Sequence, residues 1–195
     1  MPETQNYTCH CCGATVAIDA VECSYCKNPV RITTFQSVWS LPTSTVNKYL
    51  SSYKKDADSG QGRDVSAPLA FCYLKLKLYD KARKTFEDAM AESFDNSEVF
   101  FYAAVCCLKG KKAFLTTRPD IDKAIEYVEA AKMIEARPIY DYLLAYIKQD
   151  FFSRKGYRIS PDYKEELISA HTKGLAGGDI EHLYEVLAVH RPTEI

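Results

Sequence analysis

Residues 66–92 read SAPLAFCYLKLKLYDKARKTFEDAMAE. Leu69, Ala70 and Tyr73 fall on one side of a first helix; Ala82, Phe86 and Ala89 fall on one side of a second. Steps of three and four residues are the helical period. Small residues stand where two helices cross closely, and aromatic ones fill the gaps between neighbouring pairs. Thirty-four residues on, the first helix recurs as Phe100, Ala103, Ala104 and Cys107. Its second helix carries Ala124, Val128 and Ala131, set back by eight additional residues. The insertion lies in residues 109–120, whose Lys109, Lys111 and Lys112 read as a solvated turn. A third helix of the first type follows Pro138 with Tyr142, Ala145 and Tyr146, and continues to Phe152. No second helix follows it at the same distance. Ser160-Pro161-Asp162 and Gly177-Gly178-Asp179 read as two later helix starts, running to about Leu175 and Val189.

This large, small and aromatic pattern at a period of thirty-four resembles the tetratricopeptide repeat. The resemblance holds over about residues 63–152 and thins beyond them; Ser66 stands for the consensus tryptophan and Phe94 for the closing proline. It implies a stack of helix pairs whose first helices line a concave face. On this chain that face takes Phe71 and Leu74 from the first copy, and Phe101, Val105 and Leu108 from the second. The third copy contributes Leu143 and Ile147, and Ala67, Lys75, Lys109 and Phe151 lie beside these positions. Chaperone-binding members clamp a carboxylate with lysine, asparagine and arginine there. Ala67, Phe71, Phe101 and Val105 replace those groups, so that activity is not implied. An apolar face of this extent calls for an occupant. The candidates are a partner's helix or hydrophobic segment, a second copy of the chain, and the last helix with Ile180, Leu183, Val186 and Leu187. A plain bundle without a groove is the alternative.

Residues 7–30, YTCHCCGATVAIDAVECSYCKNPV, carry a different signal. Cys9 and Cys12 form one C-x-x-C pair, Cys23 and Cys26 another, with ten residues between them. Four thiolates at this spacing suit one tetrahedral Zn²⁺. Gly13 supplies a positive φ after the first pair, and Lys27-Asn28 holds the equivalent place, where asparagine tolerates the left-handed region. Residues 15–18 and 30–34 read as short strands. The segment resembles a zinc ribbon over about residues 7–32. A stretch this short buries too little apolar surface to fold alone. Structural Zn²⁺ supplies roughly 10–16 kcal/mol in apparent terms, so metal binding is folding here. With four protein ligands no coordination position stays open for a nucleophilic water, which makes the ion structural. His10 and Cys11 are assigned to solvent. Iron is the lesser option, because a rubredoxin-like site separates its pairs by a longer insert.

The 195 residues have room for a small lobe and one larger domain. The expected division is a zinc ribbon at 1–35, a linker with a short helix at 36–65, and a repeat domain with capping helices at 66–195. Leu41-Pro42-Thr43-Ser44 reads as a Ser- or Thr-capped start for the short helix, and residues 54–64 read as a polar loop. The fold class is mainly α with a small β ribbon. Lys and Arg number 25 against 26 Asp and Glu, which gives no electrostatic reason for a nucleic-acid or anionic-lipid partner. Glu3, Asp19 and Glu22 outweigh Lys27 and Arg31 within the ribbon, and a four-thiolate zinc adds negative charge. The longest apolar run, residues 99–108, is too short to span a membrane. The polar start (Met1-Pro2-Glu3-Thr4-Gln5) has no secretory pattern, and Cys72, Cys106 and Cys107 sit in apolar helical patterns as small hydrophobes. These features point to a reducing, cytoplasmic setting.

No phosphate loop, dinucleotide fingerprint, H-E-x-x-H or nucleophile elbow occurs. His171, His182 and His190 read as surface histidines, and Glu126, Glu129, Glu165 and Glu166 as solvated helix faces. The expectation is a non-catalytic adaptor joining protein partners, with one structural Zn²⁺. The second reading is a nucleic-acid-associated regulator acting through the ribbon, which the ribbon's acidity argues against.

Overall fold

The computed structural model describes residues 6–59, 65–193 and 195. The polar start at 1–5 and residues 60–64 of the expected loop lie outside them. The protein is mainly α-helical, with a small antiparallel sheet near its N-terminus. It divides into two compact units, Met1–Glu92 and Ser93–Ile195. Within the first unit, the helices between residues 35 and 59 pack on the first helix of the 66–92 pair.

In the first unit, strands β1 (Asn6–Thr8) and β2 (Thr15–Ala17) pair with Tyr7 opposite Val16. The expected strand at 30–34 does not form. Val30 and Ile32 are buried there, and the Ile32 N–H is spent on the Tyr53 hydroxyl at 2.8 Å instead of on a ladder. Thr34 then caps α1 (Phe35–Trp39) through a reciprocal box with Ser37. Helix α2 (Thr43–Ser59) begins on the carbonyl of Pro42, which accepts N–H bonds from Thr45 and Val46 at 2.9 and 3.0 Å. It runs six residues into the expected loop, since 54–59 are helical. Val46, Tyr49 and Tyr53 form its buried stripe.

Helices α3 (Ser66–Lys75) and α4 (Tyr79–Glu92) pack as a pair, and α1 and α2 pack on α3. Phe71 sits between Phe35 and Phe86, with ring centroids 6.0 and 5.4 Å away. The turn between α3 and α4 closes on Lys77 at φ 58°, where the N–H groups of Lys77 and Leu78 return to Leu74 and Tyr73. That is a Schellman closure without glycine.

The second unit continues the pairing. Helix α5 (Ser97–Leu108), capped by Asn96, packs on α6 (Arg118–Ile134). Between them the inserted residues form a 3-10 turn, Ala113–Leu115. Helix α7 (Pro138–Ile147) ends in a π-helical turn, Lys148–Phe152, rather than running regularly to Phe152. Its partner is α8 (Tyr163–Thr172), reached after the detour of 148–162 and capped by an Asp162–Glu165 box. Helix α9 (Gly177–Leu187) buries Ile180, Leu183, Val186 and Leu187 and packs on α5 and α7. Tyr184 meets Tyr142 and Tyr146 edge-on.

A chain of ion pairs crosses this second unit. Lys148 meets Glu166 at 2.5 Å, Glu166 meets Lys132 at 3.1 Å, Lys132 meets Asp141 at 3.0 Å, and Asp141 meets Lys173 at 2.6 Å. Glu166 is only 3% exposed, so it is no solvated helix face. Alternating signs let α6, α7 and α8 share buried charge that none could hold alone. Among the described residues no helix is long and apolar enough to cross a membrane.

Candidate metal centre

Each cysteine pair is held by the same backbone bonds. In the first, Gly13 N–H donates to the Cys9 carbonyl and Cys9 N–H to the Ala14 carbonyl, at 2.8 and 2.9 Å. Fourteen residues later, Lys27 N–H donates to the Cys23 carbonyl and Cys23 N–H to the Asn28 carbonyl, both at 2.9 Å. Gly13 and Lys27 take the left-handed region at φ 77° and 57°. The tolerant residue of the second loop is therefore Lys27, and Asn28 turns its side chain to the Cys26 carbonyl at 2.8 Å.

These loops bring four sulfurs together. Cys9 Sγ lies 3.8 Å from Cys26 Sγ, Cys12 Sγ lies 3.7 Å from Cys23 Sγ, and all four fall within 4.8 Å of one another. A zinc tetrahedron with bonds of about 2.3 Å has edges of about 3.8 Å. None of the four is in a disulfide. The site is positioned for one metal ion, and its dimensions are compatible with Zn²⁺.

Backbone amides tune the sulfurs. Burial works against a Cys26 thiolate, but the Asn28 backbone and side-chain N–H groups outweigh it and hold its pKa down to about 6. Ala14 N–H also favours a thiolate at Cys12, but burial and the neighbouring Cys26 and Cys23 raise that pKa on balance. Cys9 and Cys23 are buried, whereas Cys12 is exposed, so one edge of the tetrahedron faces water.

His10 and Cys11 are not solvent groups. Cys11 is 7% exposed. His10 Nε2 lies 2.6 Å from the Tyr7 hydroxyl, and Nδ1 lies 3.0 Å from Ser52 Oγ and 3.2 Å from Asp56 Oδ2. Its ring lies 4.4 Å from that of Tyr53. Burial lowers the His10 pKa against the pull of Asp56. The contacts fit a neutral ring that accepts from Tyr7 and donates toward α2. With Tyr53 on Ile32 and the Tyr49 hydroxyl on the Pro29 carbonyl, they fasten the cysteine loops to α2. The sequence carries a weak sign of this, an aromatic at each of Tyr49 and Tyr53 on the helix's apolar stripe.

The seven residues expected on a concave face are all buried: Phe71, Leu74, Phe101, Val105, Leu108, Leu143 and Ile147. Helices α5 and α7 are covered around most of their circumference. Phe101 borders a recess of about 90 Å³ together with Arg137, Ile139, His182, Leu183 and Val186. His171, His182 and His190 do not gather with other metal-ligating groups among the described residues. Cys72, Cys106 and Cys107 are buried, and burial raises the Cys72 pKa to about 12. Large apolar side chains are exposed on the cysteine lobe instead: Ile18 at 55%, Val21 at 85% and Tyr25 at 73%.

Comparison with known proteins adds no further constraint: no family model matches the chain, and no curated protein matches it.

Proposed function

We propose that the protein is a non-catalytic, cytoplasmic adaptor in which one structural Zn²⁺ shapes an N-terminal docking lobe and tetratricopeptide-like helix pairs carry a second contact. The observation behind this reading is the exposure of Ile18, Val21 and Tyr25 on a lobe whose four cysteines are placed to hold one metal ion. A closed shell leaves the metal no substrate position. What remains to the lobe is its surface, and that surface offers apolar side chains that a folded core would otherwise take. The recess beside Phe101 has the size for one apolar side chain of a partner segment, with Arg137 and His182 at its border.

Affinity capture tests this reading with the full chain, wild type against Tyr25→Asp and Phe101→Asp. Specific loss of the same protein partner from a variant that retains its zinc supports it. Identical capture by all three, or salt-sensitive binding of oligonucleotides instead, overturns it. A nucleic-acid role has no comparable support, since Asp19 and Glu22 leave the lobe without a basic surplus.

A further inference from the structure

Two departures from regular helix pairing meet at one cavity in the second unit. The first is the inserted turn between α5 and α6; the second is the π-helical turn after α7. Phe114 N–H donates to Asp150 Oδ2 at 2.7 Å, and Ala113 N–H donates to the Tyr146 hydroxyl at 3.2 Å. Arg154 pairs with Asp150 and lies over the Phe114 ring at 4.5 Å. A π turn interrupting an α-helix is often found where a site is built.

The cavity measures about 330 Å³ and is lined by Lys112, Tyr146, Asp150, Arg154, His190 and Arg191 among others. Among the described side chains, three permanent cations and one carboxylate line it. Asp150 is only 1% exposed and already engaged by the Phe114 amide and by Arg154, so its role is to aim that guanidinium. Lys112 and His190 have no carboxylate partner among the described residues. Arg191 donates its Nε–H to the Ile195 main-chain oxygen at 2.8 Å and lines the cavity. Tyr146 is 1% exposed, and its hydroxyl takes the Ala113 amide while its own proton has no acceptor among the described residues. Burial raises its pKa to about 12, so that proton is present at neutral pH. A buried donor with no other acceptor among the described residues, beside Lys112, Arg154 and Arg191, is the chemistry of an oxyanion receptor.

We infer that this cavity binds a small phosphate monoester, with Lys112, Arg154 and Arg191 on the phosphate oxygens and Tyr146 donating its hydroxyl proton. Four donors lining one cavity match the three terminal oxygens of a phosphate better than the two of a carboxylate. The volume is at the lower end of small-molecule sites. The inference does not depend on the adaptor reading, and neither would fall with the other.

The test is amide and arginine side-chain NMR of the zinc-loaded full chain, titrated with inorganic phosphate, glycerol phosphate, acetate and a short phosphoserine peptide. The expected result is a saturable shift at Ala113, Phe114 and the Arg154 Nε–H, with glycerol phosphate bound at least as well as phosphate and acetate far more weakly. Lys112→Gln and Arg191→Gln, both at the surface, should each weaken binding about tenfold while leaving the remaining spectrum intact. Tyr146→Phe should also weaken it. No saturable shift at these groups, or equal affinity in the Lys112→Gln/Arg191→Gln double variant, overturns the site. Acetate binding as well as phosphate overturns the phosphate assignment, and tighter binding of the peptide than of glycerol phosphate overturns the small-molecule one.

Discussion

The phenol oxygen of Tyr53 on α2 accepts the backbone N–H of Ile32 at 2.8 Å, with both residues no more than 1% exposed. Replacing Tyr53 by Phe leaves that amide buried and unpaired, at a cost of about 1–3 kcal/mol. Denaturant melts in saturating zinc should show this loss with four sulfurs still binding one ion. An unchanged midpoint would mean that water satisfies the amide.

Metal removal should reach beyond the cysteine loops. His10, Ile32 and Pro29 each hold a side chain of α2, so chelation should raise hydrogen exchange in 43–59 as well as in 7–32. Cys23→Ser should reproduce the effect without chelator. Full protection of α2 in the metal-free protein would show that the helix stands without the lobe.

Glu166 joins Lys148 and Lys132, which are 3% and 21% exposed at the side chain. Glu166→Ala strands Lys148 in the interior, and a destabilisation of about 3–5 kcal/mol is expected. Combining it with Lys148→Met should recover most of that loss. A calorimetric scan of the two variants decides the matter, and no recovery in the double variant would rule out pairing as the cause.

Asp141 supplies a pH signature. Burial pushes its pKa up, but Lys173 and Lys132 outweigh this and hold it below the usual carboxylate value. Its contribution to stability is therefore complete above about pH 4 and is lost as pH falls through its lower folded value. Asp141→Asn should weaken exchange protection in α7 and α8 at pH 7, and the difference should shrink toward pH 3. A difference that stays constant would contradict the ionic role.

Helix positions were legible because their apolar period is local: 66–92 and 97–108 declare themselves within a few turns. The cysteine loops were legible for the same reason, since each closes over four residues. The burial of His10 was not, because Ser52 and Asp56 lie more than forty residues away in sequence. Glu166 misled because charge on a helix usually means water; the sign to the contrary was Ala170, one turn on and fully buried. Apolar residues all round α5 and α7 are equally the pattern of helices enclosed on every side, and the seven positions expected on a concave face are buried. Periodicity says how much of a helix is covered, and it is silent on whether the cover belongs to the same chain.

The matched backbone bonds of the two cysteine loops bear on how an ion enters and leaves. Each loop is a two-pronged claw that the ion itself closes, so capture proceeds in halves: one claw grips, and the other closes over a ten-residue tether at high effective concentration. Exit must retrace that route, through a species held by two sulfurs. With Cys12 on the wet side, a competing chelator meets the first claw before the second, and the protein's hold on its ion is governed by how briefly that claw stays open.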